Sequence, residues 1–261
     1  MKRTLIMGLP LDTPGEIRNS FWNAKIYDSS CSPEARVYFI DIGKGFYLKS
    51  AEKNTLRREA EMTEYFAKKG LSPNVVSYLS NEKDWLLTER ASGEDCTHSL
   101  YLSCPERLAE LLGEKLRALH SLDASDCPVK DRIKEYIALA EENYRADNYD
   151  KSSFPDSFGY KSAEEAYKVF SEGKHLLKSD TLIHGDYCLP NIMLDNWRPS
   201  AFIDVGNGGI GDRHIDLFWG SWTLWFNLKT NKYKDRFLDA YGRDAINEDI
   251  LKIIAAAEVF G

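Results

Sequence analysis

The sequence predicts an α+β protein with two lobes: a small N-terminal lobe in which an antiparallel β-sheet carries one helix, and a larger, mostly helical C-terminal lobe. Up to residue 94, short runs of β-branched and aromatic residues alternate with turns, whereas beyond it the apolar residues recur at helical spacing. A chain of 261 residues is long enough for two lobes. We therefore expect an N-terminal lobe with a hinge at residues 1–94, a helical lobe at residues 95–261, and a cleft between them.

The elements of the N-terminal lobe follow from residue type and turn signals. Strands are predicted at residues 36–40, 46–48, 74–78 and 85–88. Segment 41–45 contains two glycines and predicts a hairpin between the first two strands. A helix is predicted over residues 55–69, because its small and apolar residues lie near one side and Gly70 provides a stop.

The C-terminal lobe is predicted to be built mainly from helices. Helices are predicted at residues 106–120, 130–145, 162–177, 212–228, 233–241 and 246–259. Two short strands, 191–194 and 201–203, are expected in the segment between the third and fourth of these helices. Segment 147–160 is polar and aromatic without periodicity and is predicted to be a loop.

Composition and charge argue against several kinds of partner. The formal net charge is −7, which disfavours nucleic acid as a partner because phosphate binding needs clustered Lys and Arg. The same charge suits a polycationic ligand, although many enzymes are equally acidic. No apolar stretch approaches the roughly 18 residues that a membrane helix needs, so no membrane association is expected. Five scattered cysteines without C-x-x-C spacing predict reduced thiols and a cytoplasmic location. No obligate protein partner is evident from the sequence.

One segment combines the residues that phosphoryl transfer requires. It begins with His184-Gly185-Asp186 and continues to Asn191 and Asp204. The reaction needs a carboxylate that accepts the proton of the attacking hydroxyl, magnesium held by oxygen ligands, and cations on the phosphates. Asp186 can serve as the catalytic base, and Asn191 and Asp204 can offer Mg²⁺ a neutral and an anionic oxygen. His184 is interpreted as a hydrogen-bonded anchor of the loop. The alternative, a simple turn with incidental surface groups, suits H-G-D alone better than it suits the complete array.

The spacing H-x-D-x4-N, followed by I-D, resembles the catalytic and metal loops of protein-kinase-like folds. Because Gly185 and Val205-Gly206 replace the protein-kinase residues, the segment instead resembles the aminoglycoside phosphotransferase and choline kinase superfamily. The string H-G-D-Y-C-L-P-N is closest to the version in the aminoglycoside 3'-phosphotransferases. The resemblance implies a two-lobed kinase-like fold, ATP or GTP with Mg²⁺ as cofactors, and transfer of the γ-phosphate to an aminoglycoside hydroxyl, which would confer antibiotic resistance.

The same resemblance extends to the N-terminal lobe. Lys49 ends a strand, and Glu59 lies on the following helix, which matches the ion pair that directs the lysine of kinase folds to the α- and β-phosphates. The S-P-x-x-V-Y string at Ser32 resembles the nucleotide loop of the aminoglycoside enzymes, although an ordinary hairpin turn is an alternative.

The hinge and one aromatic ring complete the predicted nucleotide site. The backbone of the Glu89–Ala91 hinge would meet the adenine ring. Tyr47 could stack on the base, but a plain strand aromatic explains it almost as well.

In the C-terminal part, the resemblance concerns residues that support the catalytic loop and residues that contact the substrate. The helix-opening G-D-R-H-I-D resembles the family's A-D-[RK]-x-x-D, and its Asp216 is expected to support the catalytic loop structurally. The chain end resembles the family's terminal D-E-x-F, which implies that Glu258 and Phe260 contact the aminoglycoside together with Asp186. For Glu258, a solvated glutamate at a helix end is the alternative.

Two departures from the family pattern concern the substrate. Asn207 stands where the family usually has Arg, and Ala257 and Gly261 alter the chain end. Two other functions therefore remain open: a kinase of the same fold for another small alcohol (choline, a sugar or a macrolide), or a nucleotide-binding module without activity. Intact Lys49 and Asp186 argue against the second of these.

Overall fold

The computed structural model describes residues 3–151 and 158–261. The chain forms two compact units: Met1–Asp95 with Met193–Gly206, and Cys96–Ile192 with Asn207–Gly261. The division between lobes after residue 94 stays a prediction. Within the predicted loop 147–160, residues 152–157 lie outside the described residues. No helix in the described ranges combines the length and the apolar character that crossing a bilayer requires.

The first unit is built on a six-stranded antiparallel sheet with the strand order β1-β2-β3-β4-β6-β5. Its strands are β1 (Thr4–Ile6), β2 (Lys25–Asp28), β3 (Ala35–Asp41), β4 (Phe46–Glu52), β5 (Val75–Ser80) and β6 (Lys83–Glu89). Its helices are α1 (Gly15–Ser20) and α2 (Arg57–Lys68). A three-stranded sheet in the order β10-β9-β7 joins β7 (Glu94–Asp95), β9 (Ile192–Asp195) and β10 (Arg198–Phe202).

The side chains of β4 alternate between the two faces of the sheet. Leu48 is fully buried in a core with Ile40 and Leu87. Because neighbouring residues of a strand point to opposite faces, Tyr47 and Lys49 lie on the other face of the sheet. Tyr47 pairs with Thr88 on β6, and Lys49 pairs with Leu86.

The second unit is mainly helical. Its helices are α3 (Ser99–Leu102), α4 (Pro105–His120), α5 (Arg132–Arg145), α6 (Ala163–Gly173), α7 (Arg213–Leu228), α8 (Lys234–Tyr241) and α9 (Glu248–Ala257). Two short strands, β8 (Thr181–Ile183) and β11 (Gly209–Gly211), form an antiparallel pair. Helices α4 and α8 approach closely at Gly113, where a Cβ atom would lie 2.4 Å from the carbonyl oxygen of Phe237.

The α+β fold class is confirmed, with a small antiparallel sheet in the first unit and a mostly helical second unit. The predicted helices are present, with shifted ends: α9 begins at Glu248 because the side chain of Asn247 caps it by accepting the N–H groups of Asp249 and Ile250. The predicted helix at 162–177 ends at Gly173 and continues as a short 3₁₀-helix, Lys174–Leu176. The structure also contains short elements that were not predicted from the sequence: β1, α1, β2, β7, α3, β8 and β11.

Candidate active site

The first unit contains a pocket of about 290 Å³ beside strands β4 and β6. Its lining includes all six residues predicted to bind nucleotide: Ser32, Tyr47, Lys49, Glu59, Glu89 and Ala91. Asp204, predicted to bind metal, lines the same pocket. Residues that are far apart in the sequence of the first unit therefore share one cavity.

An ion-paired lysine occupies the polar part of this pocket. Lys49 Nζ lies 2.9 and 2.8 Å from the two carboxylate oxygens of Glu59 and 2.9 Å from Asp204 Oδ1. Burial by itself would lower the pKa of Lys49, but the carboxylates of Asp204 and Glu59 outweigh it and raise that pKa. The lysine is therefore a fixed ammonium group at neutral pH.

The two acids around Lys49 differ in environment. Burial raises the pKa of Glu59, and the neighbouring ammonium of Lys49 only partly opposes that effect. The side chain of Asp204 is 48% exposed, so a ligand in the pocket can reach it. Two carboxylates on one ammonium carry a formal charge of −1, which favours a cation at this place.

Asp204 follows β10 in a left-handed backbone conformation with φ of +55°. Such a conformation costs a non-glycine residue of order 1–3 kcal/mol and persists only where surrounding bonds hold it. The contacts that hold this segment include the bond from Lys49 to Asp204 and a 2.6 Å hydrogen bond from Arg58 Nε to the Gly206 carbonyl. Among the described residues no three His, Cys, Asp or Glu side chains form a metal cluster. A single accessible carboxylate fits Mg²⁺, which uses few protein ligands and otherwise binds phosphate and water.

The remaining lining of the pocket offers an aromatic ring and a free backbone amide. The Tyr47 ring lies 5.2 Å from that of Phe39, and Arg3 donates to its hydroxyl at 2.6 Å. The N–H of Glu89 donates to the Asn74 carbonyl, and the N–H of Arg90 donates to the Gly45 carbonyl.

Among the described residues, the N–H of Ala91 has no such partner. Of the three hinge amides, it is therefore the one that is available to a base. Ser32 is exposed at the pocket in the loop before β3.

In the second unit, the loop after β8 carries Asp186. Gly185 has a φ of +82°, and a Cβ atom there would lie 2.0 Å from the carbonyl oxygen of Asn207, so this position requires glycine. The N–H of Asp186 donates to Nδ1 of the buried His184 at 3.2 Å. The predicted role of His184 as a loop anchor agrees with this geometry.

Asp216 ties the same loop to helix α7. Its carboxylate accepts the backbone N–H groups of His184 at 2.7 Å and Gly185 at 2.8 Å, and it is fully buried. His120 Nε2 contacts Asp216 at 3.1 Å, while His120 Nδ1 contacts the Tyr241 hydroxyl at 2.9 Å. Burial lowers the pKa of His120 although Asp216 opposes this, so the ring is neutral.

The side chain of Asp186 is oriented by its own loop. Asn191 Nδ2 donates to Asp186 Oδ2 at 2.8 Å and to the Asp186 carbonyl at 3.1 Å. With its nitrogen used in this way, the amide of Asn191 keeps its oxygen for another ligand. The Thr223 hydroxyl of α7 accepts the Leu189 N–H at 3.1 Å, which fixes the loop between Asp186 and Asn191. Burial, together with the neighbouring carboxylate of Asp186, raises the pKa of the Cys188 thiol.

Glu258 is buried, which contradicts the alternative interpretation of it as a solvated glutamate at a helix end. It lies in a short 3₁₀-helix, Glu258–Phe260, and is only 8% exposed. Burial raises the pKa of Glu258 to about 7, hydrogen bonds from Tyr136 and Trp219 oppose the rise, and the charge of Asp186 adds to it. The Tyr136 hydroxyl lies 2.9 Å from Glu258 Oε1. Because the charge of Asp186 acts on Glu258, the two acids lie in one region of the second unit.

Phe260 requires a correction. Its side chain is fully buried, with its ring packed edge-on against Tyr144, Tyr149 and Tyr167. Its carbonyl accepts a hydrogen bond from Asn143 at 2.7 Å. A ring in this position belongs to the core of the second unit and does not offer a surface to substrate.

The profile of the phosphotransferase enzyme family matches residues 33–252. A protein of Lactococcus lactis subsp. lactis (strain IL1403) named probable aminoglycoside 3'-phosphotransferase is 50% identical over 249 residues, which cover 95% of each chain. An aminoglycoside 3'-phosphotransferase of Niallia circulans is 28% identical over 207 residues, which cover 79% of each chain.

Solved structures resemble the fold as well. A crystal structure of an aminoglycoside-3'-phosphotransferase of type VIII superimposes with a TM-score of 0.77 at 24% identity, covering 94% of this chain and 97% of the other. The phosphotransferase APH(3'')-Id of Streptomyces rimosus, in complex with ADP and streptomycin, gives a TM-score of 0.72 at 19% identity, covering 86% and 90%.

Proposed function

The chain belongs to the phosphotransferase enzyme family, and we propose that it uses ATP or GTP to phosphorylate a hydroxyl group of an aminoglycoside antibiotic, of the 3' type. The observation that carries the proposal is the Asp186 loop. Its carboxylate is oriented by Asn191, and its backbone is fixed by the buried Asp216. A carboxylate held in this way is suited to receive a proton from a substrate hydroxyl.

In the proposed reaction, the substrate hydroxyl gives its proton to the carboxylate of Asp186. The hydroxyl oxygen forms a bond to the γ-phosphorus of the nucleotide, and the bond between that phosphorus and the β,γ-bridging oxygen breaks. The electron pair of the broken bond leaves with the nucleoside diphosphate. The ammonium of Lys49 would neutralise charge on the α- and β-phosphates.

Magnesium fits the exposed carboxylate of Asp204 in the nucleotide pocket. When bound, Mg²⁺ would neutralise charge on the phosphate oxygens and favour departure of the diphosphate. Asp204 would supply the anionic oxygen ligand, and the role of Asn191 as the neutral ligand stays a prediction.

The base of the nucleotide is proposed to lie along the hinge. The Glu89 carbonyl and the Ala91 N–H would bond its edge, and the Tyr47 ring would lie against its face. Ser32, which is exposed at the pocket, would donate to a phosphate.

The proposed substrate is a polycation, and the second unit offers it Asp186 and Glu258. Ala257, which is buried, stands where the family carries an acid, and its methyl side chain adds no charge. The relatives named above are aminoglycoside enzymes, and this is the basis for the substrate class. We expect the enzyme to act in the cytoplasm, where nucleotide is present, and to confer resistance there.

The test is phosphate transfer by the purified protein with Mg²⁺ and ATP or GTP, followed as release of diphosphate. The substrates are kanamycin B, tobramycin (which lacks the 3'-hydroxyl of kanamycin B), choline and erythromycin. Transfer to kanamycin B but not to tobramycin supports a 3' kinase. Transfer to choline or erythromycin alone indicates the other small-alcohol kinase, and no transfer at all indicates an inactive module.

A further inference from the structure

Helix α2 reaches the segment after Asp204 from two adjacent positions. Glu59 acts through Lys49, whose ammonium bonds Asp204 Oδ1 at 2.9 Å. Arg58, the residue before Glu59, donates from Nε to the Gly206 carbonyl at 2.6 Å. All of these residues belong to the first unit. One helix therefore acts on the carboxylate of Asp204 through Lys49 and bonds directly to the backbone two residues further on.

The segment needs such support because of its backbone. Asp204 has a φ of +55°, a conformation that only glycine adopts without a steric cost. The chain then turns through a 3₁₀-helix, Val205–Asn207. At Gly206 it packs so closely on α2 that a Cβ atom would lie 3.2 Å from Glu59 Cβ. A strained residue holds its position only if neighbouring bonds prevent the chain from relaxing.

The preceding residue provides an internal comparison. Arg57 has the same side chain on the same helix, yet it is 72% exposed and forms an ion pair with Glu61 at 3.0 Å. Arg58 is half-buried and turns toward Gly206. The difference between these two arginines separates the effect of a hydrogen bond to the loop from the effect of a positive charge on α2.

We propose that Arg58 is a positioning residue that fixes the backbone after Asp204 and thereby presents the Asp204 carboxylate to Mg²⁺. The inference rests on the proposed metal-binding role of Asp204. In this proposal Arg58 acts through Asp204. Groups that orient metal ligands in this way are often nearly as important for metal affinity as the ligands themselves.

The experiment measures equilibrium binding of ADP by calorimetry over a range of Mg²⁺ concentrations and in excess chelator, without any aminoglycoside. Arg58→Ala should raise the Mg²⁺ concentration at half-maximal enhancement of ADP binding by about ten- to a hundredfold. Metal-free ADP affinity should stay within about twofold, because the pocket keeps Lys49. Arg58→Lys should show a smaller increase, since its ammonium can still donate to the Gly206 carbonyl. Arg57→Ala should match wild type.

Three outcomes would overturn the inference: an Arg58→Ala protein with a wild-type Mg²⁺ requirement, an equal loss of ADP affinity with and without Mg²⁺, or no effect of Mg²⁺ on wild type. If Arg58→Ala does not fold, Arg58→Met, which keeps an apolar stem of similar length but has no donor, decides by the same measurement, and a wild-type Mg²⁺ requirement in that variant would contradict the proposal. The result is separate from the proposed function. A wild-type protein that binds ADP with Mg²⁺ but does not phosphorylate kanamycin B would refute the substrate and leave the role of Arg58 supported.

Discussion

The nucleotide pocket of the first unit and the Asp186 loop of the second are held by different kinds of bond. In the pocket, one ammonium group binds two carboxylates, so the arrangement depends on charge. In the loop, a buried acid accepts two backbone N–H groups, and uncharged Asn191 and Thr223 orient the rest.

The contrast has a functional consequence. Binding of a metal–nucleotide complex changes the charge in the pocket, so the ion pairs of Lys49 can rearrange as the ligand enters. The loop contains no ion pair that a phosphate would compete for among its described contacts, so Asp186 keeps its orientation. We therefore expect substitutions in the loop to affect turnover and stability, and substitutions in the pocket to affect nucleotide affinity.

The largest expected effect is that of Asp186→Ala on turnover. Removing a general base typically lowers the rate by about 10²–10⁴-fold, whereas ADP affinity should hardly change because the pocket of the first unit is intact. The measurements are kcat for transfer and the Kd of ADP. A variant that keeps more than half of wild-type turnover would refute the assignment of Asp186 as the base.

The second test breaks the support of the loop. Asp216→Asn replaces a carboxylate oxygen by an NH₂ group, which cannot accept one of the two backbone N–H bonds, so the fold should lose roughly 3 kcal/mol. Thermal unfolding and kcat should both fall. Asp249→Asn is the control, since Asp249 lies exposed on α9 and its side chain forms an ion pair with Lys252. An Asp216→Asn protein with normal melting temperature and activity would show that the loop is held in another way.

The third test concerns the pocket. Lys49→Ala leaves Glu59 and Asp204 without their shared ammonium, and ADP affinity should fall by about a hundredfold because both the phosphate cation and the pairing are lost. Lys44→Ala, at an exposed position of the β3–β4 turn, should bind ADP like wild type. Equal ADP affinity in the two variants would exclude Lys49 from phosphate binding.

Local sequence patterns predicted much of this arrangement. Lys49 and Glu59 lie ten positions apart on an adjoining strand and helix, and the resemblance to kinase folds predicted their ion pair. The Asp186 loop is short, and its bonds to His184 and Asn191 join residues within five positions of the base. Patterns of this kind carry their geometry within one segment of the chain.

Contacts between distant segments were harder to predict. Glu258 is buried by Tyr136 and Trp219, which come from α5 and α7, and nothing next to Glu258 in the sequence indicates this. Phe260 reads as a residue of the chain end, but three tyrosines from elsewhere enclose it. The strands and helix before β3 were missed because each is short and has only one or two apolar residues, which leaves no clear periodicity.

The fourth prediction concerns the aminoglycoside KM, for which a smaller change is expected. Glu258→Gln should raise the aminoglycoside KM by about ten- to a hundredfold, because an ammonium–carboxylate hydrogen bond contributes roughly 1.5–3 kcal/mol. The nucleotide KM should not change. Glu248→Gln, at the exposed start of α9, is the matched control. An aminoglycoside KM within twofold of wild type would mean that Glu258 does not bind substrate and would favour a different substrate class.

The smallest expected effect is a pH dependence that comes from the same residue. The pKa of Glu258 is raised by burial to about 7, so the carboxyl is neutral below that pH and can bind an ammonium group strongly only above it. The aminoglycoside KM of wild type should therefore rise by up to about tenfold as the pH falls from 8 to 6.

The stability of the fold should change in the opposite sense. A raised folded-state pKa of Glu258 stabilises the fold fully below the ordinary pKa of 4.5, and that contribution is lost as the pH rises through about 7. Glu258→Gln is always neutral, so both its KM and its melting temperature should vary less with pH over this range. The measurements are kanamycin KM and thermal unfolding of both proteins between pH 5 and pH 8.5, and parallel profiles for the two proteins would show that another group is responsible.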